Sequence, residues 1–243
     1  MESRSIYSDN LSLLIKAIDD EISKRSLLNH QFYTLWREGK LTLNHLRGYS
    51  KEYFQLVKTV PEFVYNIYNN LENHSSMYHY LKATKKTQIE ESDHIEPWVK
   101  FALSLGIEKR ELVEYAGNNE VNMAIENLKK LSRSSILEGA STMYSFEKEI
   151  PQISKTKIEG LQKFYGISKE DAIKYFKIHE TADIEHAELW KTIILDREIN
   201  KIIDKNSTEL ILRASVNSLV AQNQILDSVY DTYVKDTIKF KNF

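Results

Sequence analysis

Apolar residues recur along this chain at steps of three and four, and no segment sustains the alternation of a half-buried strand. That spacing is the mark of amphipathic helices. It predicts a first helix over about 8–25, with Leu11, Leu14, Ile15 and Ile18 on one face, then a short one in NHQFYTLWREG ended by Gly39. Thr42 is placed to cap a long helix that runs to about 71 and bends near Pro61. Another follows over about 76–90, and Pro97 suits the first turn of WVKFALSLG, which Gly106 closes. Further helices are expected at about 119–132, at 134–150 with Pro151 as the stop, and at 155–165. Ser168 with Asp171 opens a long helix through HETADIEHAELW, and Asn206 with Glu209 opens the last one. No linker, low-complexity run or repeat interrupts the pattern. The expectation is one all-α domain over residues 7–240, a multi-helix bundle of eight or nine helices.

Two of these helices carry polar groups where a buried stripe should be. His179, Asp183 and His186 follow one another at steps of four and three, in register with Ala172 and Phe176 before them and Trp190 and Ile194 after. A polar group placed in a core needs a partner. Glu147 breaks the stripe Ile136, Ala140, Met143, Ile150 in the same way, as a rim residue or as one paired inside the core. A third polar cluster, Glu90, Glu91 and His94, lies in IEESDHIEPW near a helix end. Any one of these histidines alone reads as an ordinary satisfied residue. Together, three His and at least three carboxylates from three segments match the inventory of a dimetal-carboxylate site in a helix bundle. Carboxylates with imidazoles suit iron or manganese better than zinc.

Composition removes several other classes. The 243 residues suffice for a sizeable core, and with 7 Gly and 3 Pro there are too few turn-formers for a many-stranded β protein. There is no cysteine, so disulfides, thiolate ligands and a cysteine nucleophile are excluded. A net charge of −2 argues against nucleic-acid binding, and no apolar run is long enough to span a membrane. A cytoplasmic protein is expected, with secretion into a host cell left open.

The stretches LLNHQFYTLWREGKLT, LRGYSKEYFQLVKTVPEFV, YSFEKEIPQISKTKIEGLQKFYGI and YFKIHETADIEHA carry a resemblance over roughly residues 25–195. The chain resembles the family of the chlamydial protein associating with death domains, in the TenA/PqqC-like superfamily of the haem-oxygenase-like fold. In that family two metal ions, iron with iron or with manganese, are held by three His and three carboxylates. The resemblance implies His94, Glu147, His179, Asp183 and His186 as metal ligands. The family places its sixth ligand, a Glu, seven residues before the His that His94 matches, where this chain has Thr87. Glu90 is expected to serve instead, with Glu91 as the alternative.

The implied activity is a self-sacrificing synthesis of p-aminobenzoate for folate, using molecular oxygen and a reductant. Tyr33 or Tyr49 is implied as the source of the ring, Lys157 as the amino donor, and Tyr175 as a further tyrosine near the site. The resemblance also implies a homodimer, and the relative's name points to host death-domain proteins as partners. Two other readings compete: a death-domain-binding interaction protein, and a cofactor-free oxidase of the PqqC type. The second needs a basic pocket for a tricarboxylated substrate, which the carboxylate-rich HETADIEHAE segment disfavours.

Overall fold

In the computed structural model, residues 2–196, 198 and 205–239 are described. Among them there is no strand, and fourteen α-helices succeed one another. They begin with α1 (Glu2–Lys24), α2 (Gln31–Arg37), α3 (Leu43–Val57), α4 (Val60–Glu72) and α5 (Tyr78–Asp93). Next come α6 (Ile95–Ser104), α7 (Lys109–Glu114), α8 (Asn119–Arg133), α9 (Ile136–Glu147) and α10 (Ile150–Phe164). The series closes with α11 (Glu170–His179), α12 (Ala182–Ile194), α13 (Lys205–Tyr233) and α14 (Lys235–Lys239). The long α13 lies against α1, α3, α8 and α9, while α9 also packs on α12, α4 on α5, and α6 on α11. Trp36, Trp98 and Trp190 are buried in the core. No helix of the described residues is long and apolar enough to cross a membrane.

The count exceeds eight or nine in part because two expected helices are broken, and proline explains one of the breaks. In a continuous helix a proline ring collides with the carbonyl four residues earlier. The helix ahead of Pro61 ends at Val57, the one ahead of Pro97 at Asp93, and the one ahead of Pro151 at Glu147. Each proline then sits in the first turn of the next helix, where its missing N–H costs nothing. Pro61 therefore divides the expected 42–71 helix rather than bending it, and Pro151 opens α10 rather than stopping a helix that reaches 150.

The other break falls inside HETADIEHAELW. His179 ends α11 and Ala182 starts α12, with shorter-range bonds from Thr181 N to Ile178 O and from Ile184 N to Thr181 O between them. The expected Ser168–Asp171 box is also absent. Lys169 takes the N-cap of α11 without a side-chain bond. The short α7 had no counterpart in the periodicity. Other signals hold: Thr42 caps α3 in a box with His45, and Gly39 and Gly106 follow their helices at φ of 66° and 80°. The cap expected at Asn206 lies outside the side chains described.

Candidate metal centre

Three of the helix ends described above deliver side chains to one place. Glu91 lies in the last turn of α5, and His94 caps that helix where Pro97 forces the turn into α6. Glu147 is the final residue of α9 and His179 the final residue of α11. Asp183 and His186 come from successive turns of α12. All six are buried, each at most 6% exposed.

Their ligand-type atoms form two groups, Glu91–His94–His179 and Glu91–Glu147–Asp183–His186, each with all its atoms within 4.8 Å of one another. Glu91 belongs to both. His94 Nδ1 and His186 Nδ1 stand 3.4 Å and 3.3 Å from Glu91 Oε1, and His186 Nδ1 is 3.4 Å from Asp183 Oδ1. Five buried atoms here have no hydrogen-bond partner: Glu91 Oε1, His94 Nδ1, Glu147 Oε1, Asp183 Oδ2 and His186 Nδ1. Buried polar atoms are normally satisfied. Five orphans converging from three helices and a cap fit a metal-binding site, since cations would satisfy all of them at once.

The outer atoms of these side chains are fixed. His179 Nδ1 bonds the Tyr175 carbonyl at 2.7 Å, which makes it the protonated nitrogen and leaves Nε2 for the cluster. His186 Nε2 meets Glu90 Oε2 at 3.1 Å, and Trp190 Nε1 donates to Glu147 Oε2 at 2.6 Å. Such outer partners are usual for metal-binding histidines and carboxylates. Electrostatics follow the same geometry. Burial pushes the Glu147 carboxyl well above its usual range, with Asp183 and Glu91 adding repulsion that His186 offsets. For Glu91, burial is outweighed by His186 and His94, which hold its carboxyl well below the usual range. His186 is pushed up to about 12 by Asp183, Glu91 and Glu147, against the effect of its own burial.

The expected sixth position needs correcting. Glu91, not Glu90, joins the cluster. Glu90 points outward, with its side chain 35% exposed and paired to Lys86 at 3.3 Å. Adjacent residues on a helix point about 100° apart, so only one of the two faces inward. Thr87 is buried one turn before Glu91.

A second constellation lies beside the first. Tyr175 stacks on His179 with ring centroids 4.1 Å apart. A cavity of about 20 Å³ separates Glu91, Glu147, His179 and Asp183 from Tyr53, Tyr175 and Lys157. Lys157 is buried on α10, hydrogen-bonded to the Tyr49 hydroxyl at 2.7 Å and 4.7 Å above the Tyr33 ring. It forms no ion pair with a carboxylate among the described residues, and burial draws its ammonium down to about 7. Burial likewise raises the phenols of Tyr33, Tyr49, Tyr53 and Tyr175 above their usual value. Tyr33 and Tyr49 approach each other, hydroxyl to hydroxyl, at 3.5 Å, but neither lines the cavity. The structure thus brings Tyr33, Tyr49, Lys157 and Tyr175 together. It adds two residues the sequence reading missed, Tyr53 and Trp98. Tyr53 follows Tyr49 by one helical turn, a signal that was available.

An all-α fold with a buried carboxylate–histidine cluster at its centre defines a helix-bundle metalloprotein. A family model described as "iron-containing redox enzyme" matches residues 48–208, and this chain belongs to that family, of the haem-oxygenase-like fold. It is similar to the 4-aminobenzoate synthase of Nitrosomonas europaea, 29% identical over 232 residues that cover 91% of this chain and 92% of the relative. The 4-aminobenzoate synthase of Chlamydia muridarum is 26% identical over 229 residues, 94% of each chain. A TenA homolog from Pseudomonas syringae shares the fold at a TM-score of 0.76 and 15% identity, over 90% of this chain and 92% of that one.

Proposed function

We propose that this chain, acting as one domain over residues 7–240, is an oxygen-dependent 4-aminobenzoate synthase that takes the aromatic ring from one of its own tyrosines. The observation that carries this reading is the cavity. At about 20 Å³ it has room for roughly one water-sized molecule, not for an aromatic substrate. Dioxygen fits that space; a benzene ring does not. The rings beside it belong to the protein. The same limit disfavours an oxidase acting on a bulky tricarboxylated substrate, as do the five orphaned ligand atoms.

In this reading Glu91, His94 and His179, together with Glu147, Asp183 and His186, would hold two metal ions, iron with iron or with manganese. With dioxygen and a reductant, those ions would supply the oxidising power. The chain's own groups do the rest. Glu90 and the Tyr175 carbonyl fix the orientations of His186 and His179. The aromatic wall keeps water out. Lys157, drawn down to about 7, offers a substantial fraction of neutral amine at neutral pH, and a neutral amine is the nucleophile that amination of a ring requires. Its position over Tyr33 and against Tyr49 means either ring is within reach without a large movement.

Protein grown on ring-labelled tyrosine, loaded with iron and manganese, and given reductant and oxygen in unlabelled buffer tests this. Labelled 4-aminobenzoate is expected without any added aromatic, in a yield that stops at a single turnover. Mass spectrometry should locate the altered residue at Tyr33 or Tyr49. Unlabelled product, or product that accumulates over many turnovers, means an external substrate and overturns the proposal.

A further inference from the structure

The ligand cluster has two sides of opposite character. On one side lies the small cavity, lined away from the cluster mainly by Tyr53, Leu56, Val57, Val60 and Phe146. A hydrated ion would lose its water there against apolar carbon and gain little in return. The other side is wet. An open groove of about 410 Å³ runs between the end of α5, the start of α6 and one face of α11. Its wall includes Glu90, Asp93, His94, Glu96, Lys100 and Lys174. Of the six clustered residues, His94 is the one that forms part of this wall. It is only 6% exposed, and its Nδ1, without a hydrogen-bond partner, stands 3.4 Å from Glu91 Oε1. The groove and the cluster therefore meet at one imidazole ring.

The spacing along α5 gives this meeting point a direction. Glu91 and His94 are three residues apart and face inward. Glu90 and Asp93 repeat that spacing one residue earlier, which turns them by about 100° toward the groove. Glu90 already touches both sides, since its Oε2 meets His186 Nε2 at 3.1 Å and its Oε1 meets Lys86 at 3.3 Å. An outer pair of carboxylates thus stands beside an inner pair of ligand type.

The geometry points to this groove as the entrance for ferrous iron, with Asp93, Glu90 and Glu96 capturing the hydrated ion and passing it inward to Glu91 and His94. This rests on the reading of the cluster as an iron site. Carboxylates suit the task because iron accepts them as ligands in helix bundles. Exchange from one carboxylate to the next also strips water in steps instead of all at once. The neighbouring lysines do not bar the way. Lys86 and Lys109 hold Glu90 and Glu96 at 3.3 Å each in exposed ion pairs, a weak kind that a divalent ion can open. Lys100 is drawn off by Asp171 at 3.2 Å. Asp93 is exposed and forms no ion pair among the described residues, so it is the first carboxylate available to an arriving ion.

An entrance differs from a ligand in what it changes. It lowers the barrier to passage in both directions, so uptake and release alter together and affinity does not. Anaerobic mixing of the metal-free full-length chain with ferrous iron alone, stopped at intervals by a chelator, reads uptake as protein-bound iron. In the double variant Asp93→Asn with Glu96→Gln, uptake should slow by about tenfold or more. Release from the loaded protein to excess chelator should slow by the same factor, and final occupancy should match the wild type. Asp93→Glu should keep most of the wild-type rate. Glu120→Gln, which removes an exposed carboxylate at the start of α8, should leave both rates alone.

Unchanged rates in the double variant would overturn the entrance. So would a loss of final occupancy there, which would make these residues ligands, or equal slowing in Glu120→Gln, which would assign the effect to net charge. Wild-type protein that retains no iron removes the reading of the cluster and the entrance with it. Iron retained at unaltered rates removes the entrance alone.

Discussion

Replacing Glu91 with Ala is expected to strip the protein of metal, from about two ions per chain in the wild type to well under one. Glu91 is the carboxylate common to both ligand groups, and its Oε1 faces His94 and His186 with no other partner. Removing it leaves each group one ligand short. Glu90→Gln is the control. Its amide oxygen still accepts from His186 Nε2, so saturating metal should fill the site. Affinity should weaken by no more than about 10- to 100-fold, the usual range for a partner behind a ligand. Anaerobic loading with iron and manganese followed by elemental analysis reads both variants. Equal metal loss from the two would mean that the end of α5 is turned the other way and that Glu90 is a ligand after all.

Lys157→Met should abolish 4-aminobenzoate formation while raising the stability of the metal-free protein. Methionine matches the lysine stem in length and apolar character but has no amine. The sign of the stability change follows from protonation. An unfolded lysine titrates near 10.5 and the folded one near 7, so between those values the unfolded chain binds more protons. Wild-type stability therefore rises with pH across that window. The full cost of burying the charge falls below pH 7, where the gap corresponds to about 5 kcal/mol. Losing the bond to the Tyr49 hydroxyl returns about 1–3 kcal/mol of that. A net gain of about 3 kcal/mol at pH 6–7 corresponds to a rise in Tm on the order of 10 °C, shrinking as the pH approaches 10.5. Melting curves at several pH values check this. A parallel offset at every pH would mean that Lys157 stays charged inside the fold.

Much of the site was legible before any coordinate. His179, Asp183 and His186 betrayed themselves by interrupting a stripe bounded by Phe176 and Trp190, and Glu147 by standing in the register of Met143 and Ile150. Those inferences needed only the helical period. What failed was local. Glu90 and Glu91 are neighbours in the same turn, and choosing between them requires the exact rotation of α5, which the weak apolar pattern of that helix does not give. The break at Glu180–Thr181 carries neither proline nor glycine, so it left no mark in the sequence. It moved His179 onto a separate helix, yet the ligands still converge. The prolines were visible, but their effect acts at the residue four positions earlier, which is why the helix ends were misplaced. Tyr53 and Trp98 escaped notice because a buried aromatic at helical spacing looks the same whether it only fills space or borders a site.

The depth at which the candidate ring donors sit has a cost for the chain that donates one. Tyr49 is fully buried, in contact with Phe32, Trp36, Tyr53 and Trp98, and Tyr33 is nearly so. Excising a large side chain from such packing typically removes about 3–5 kcal/mol, against a total stability of about 5–15 kcal/mol. In the reading proposed above, a spent molecule is thus left with a hole in its interior and opens far more often than an intact one. Proteases that sample open chains would clear it first. The supply of product is then set by the rate of translation, and the exhausted protein is returned to the amino-acid pool from which its replacement is made.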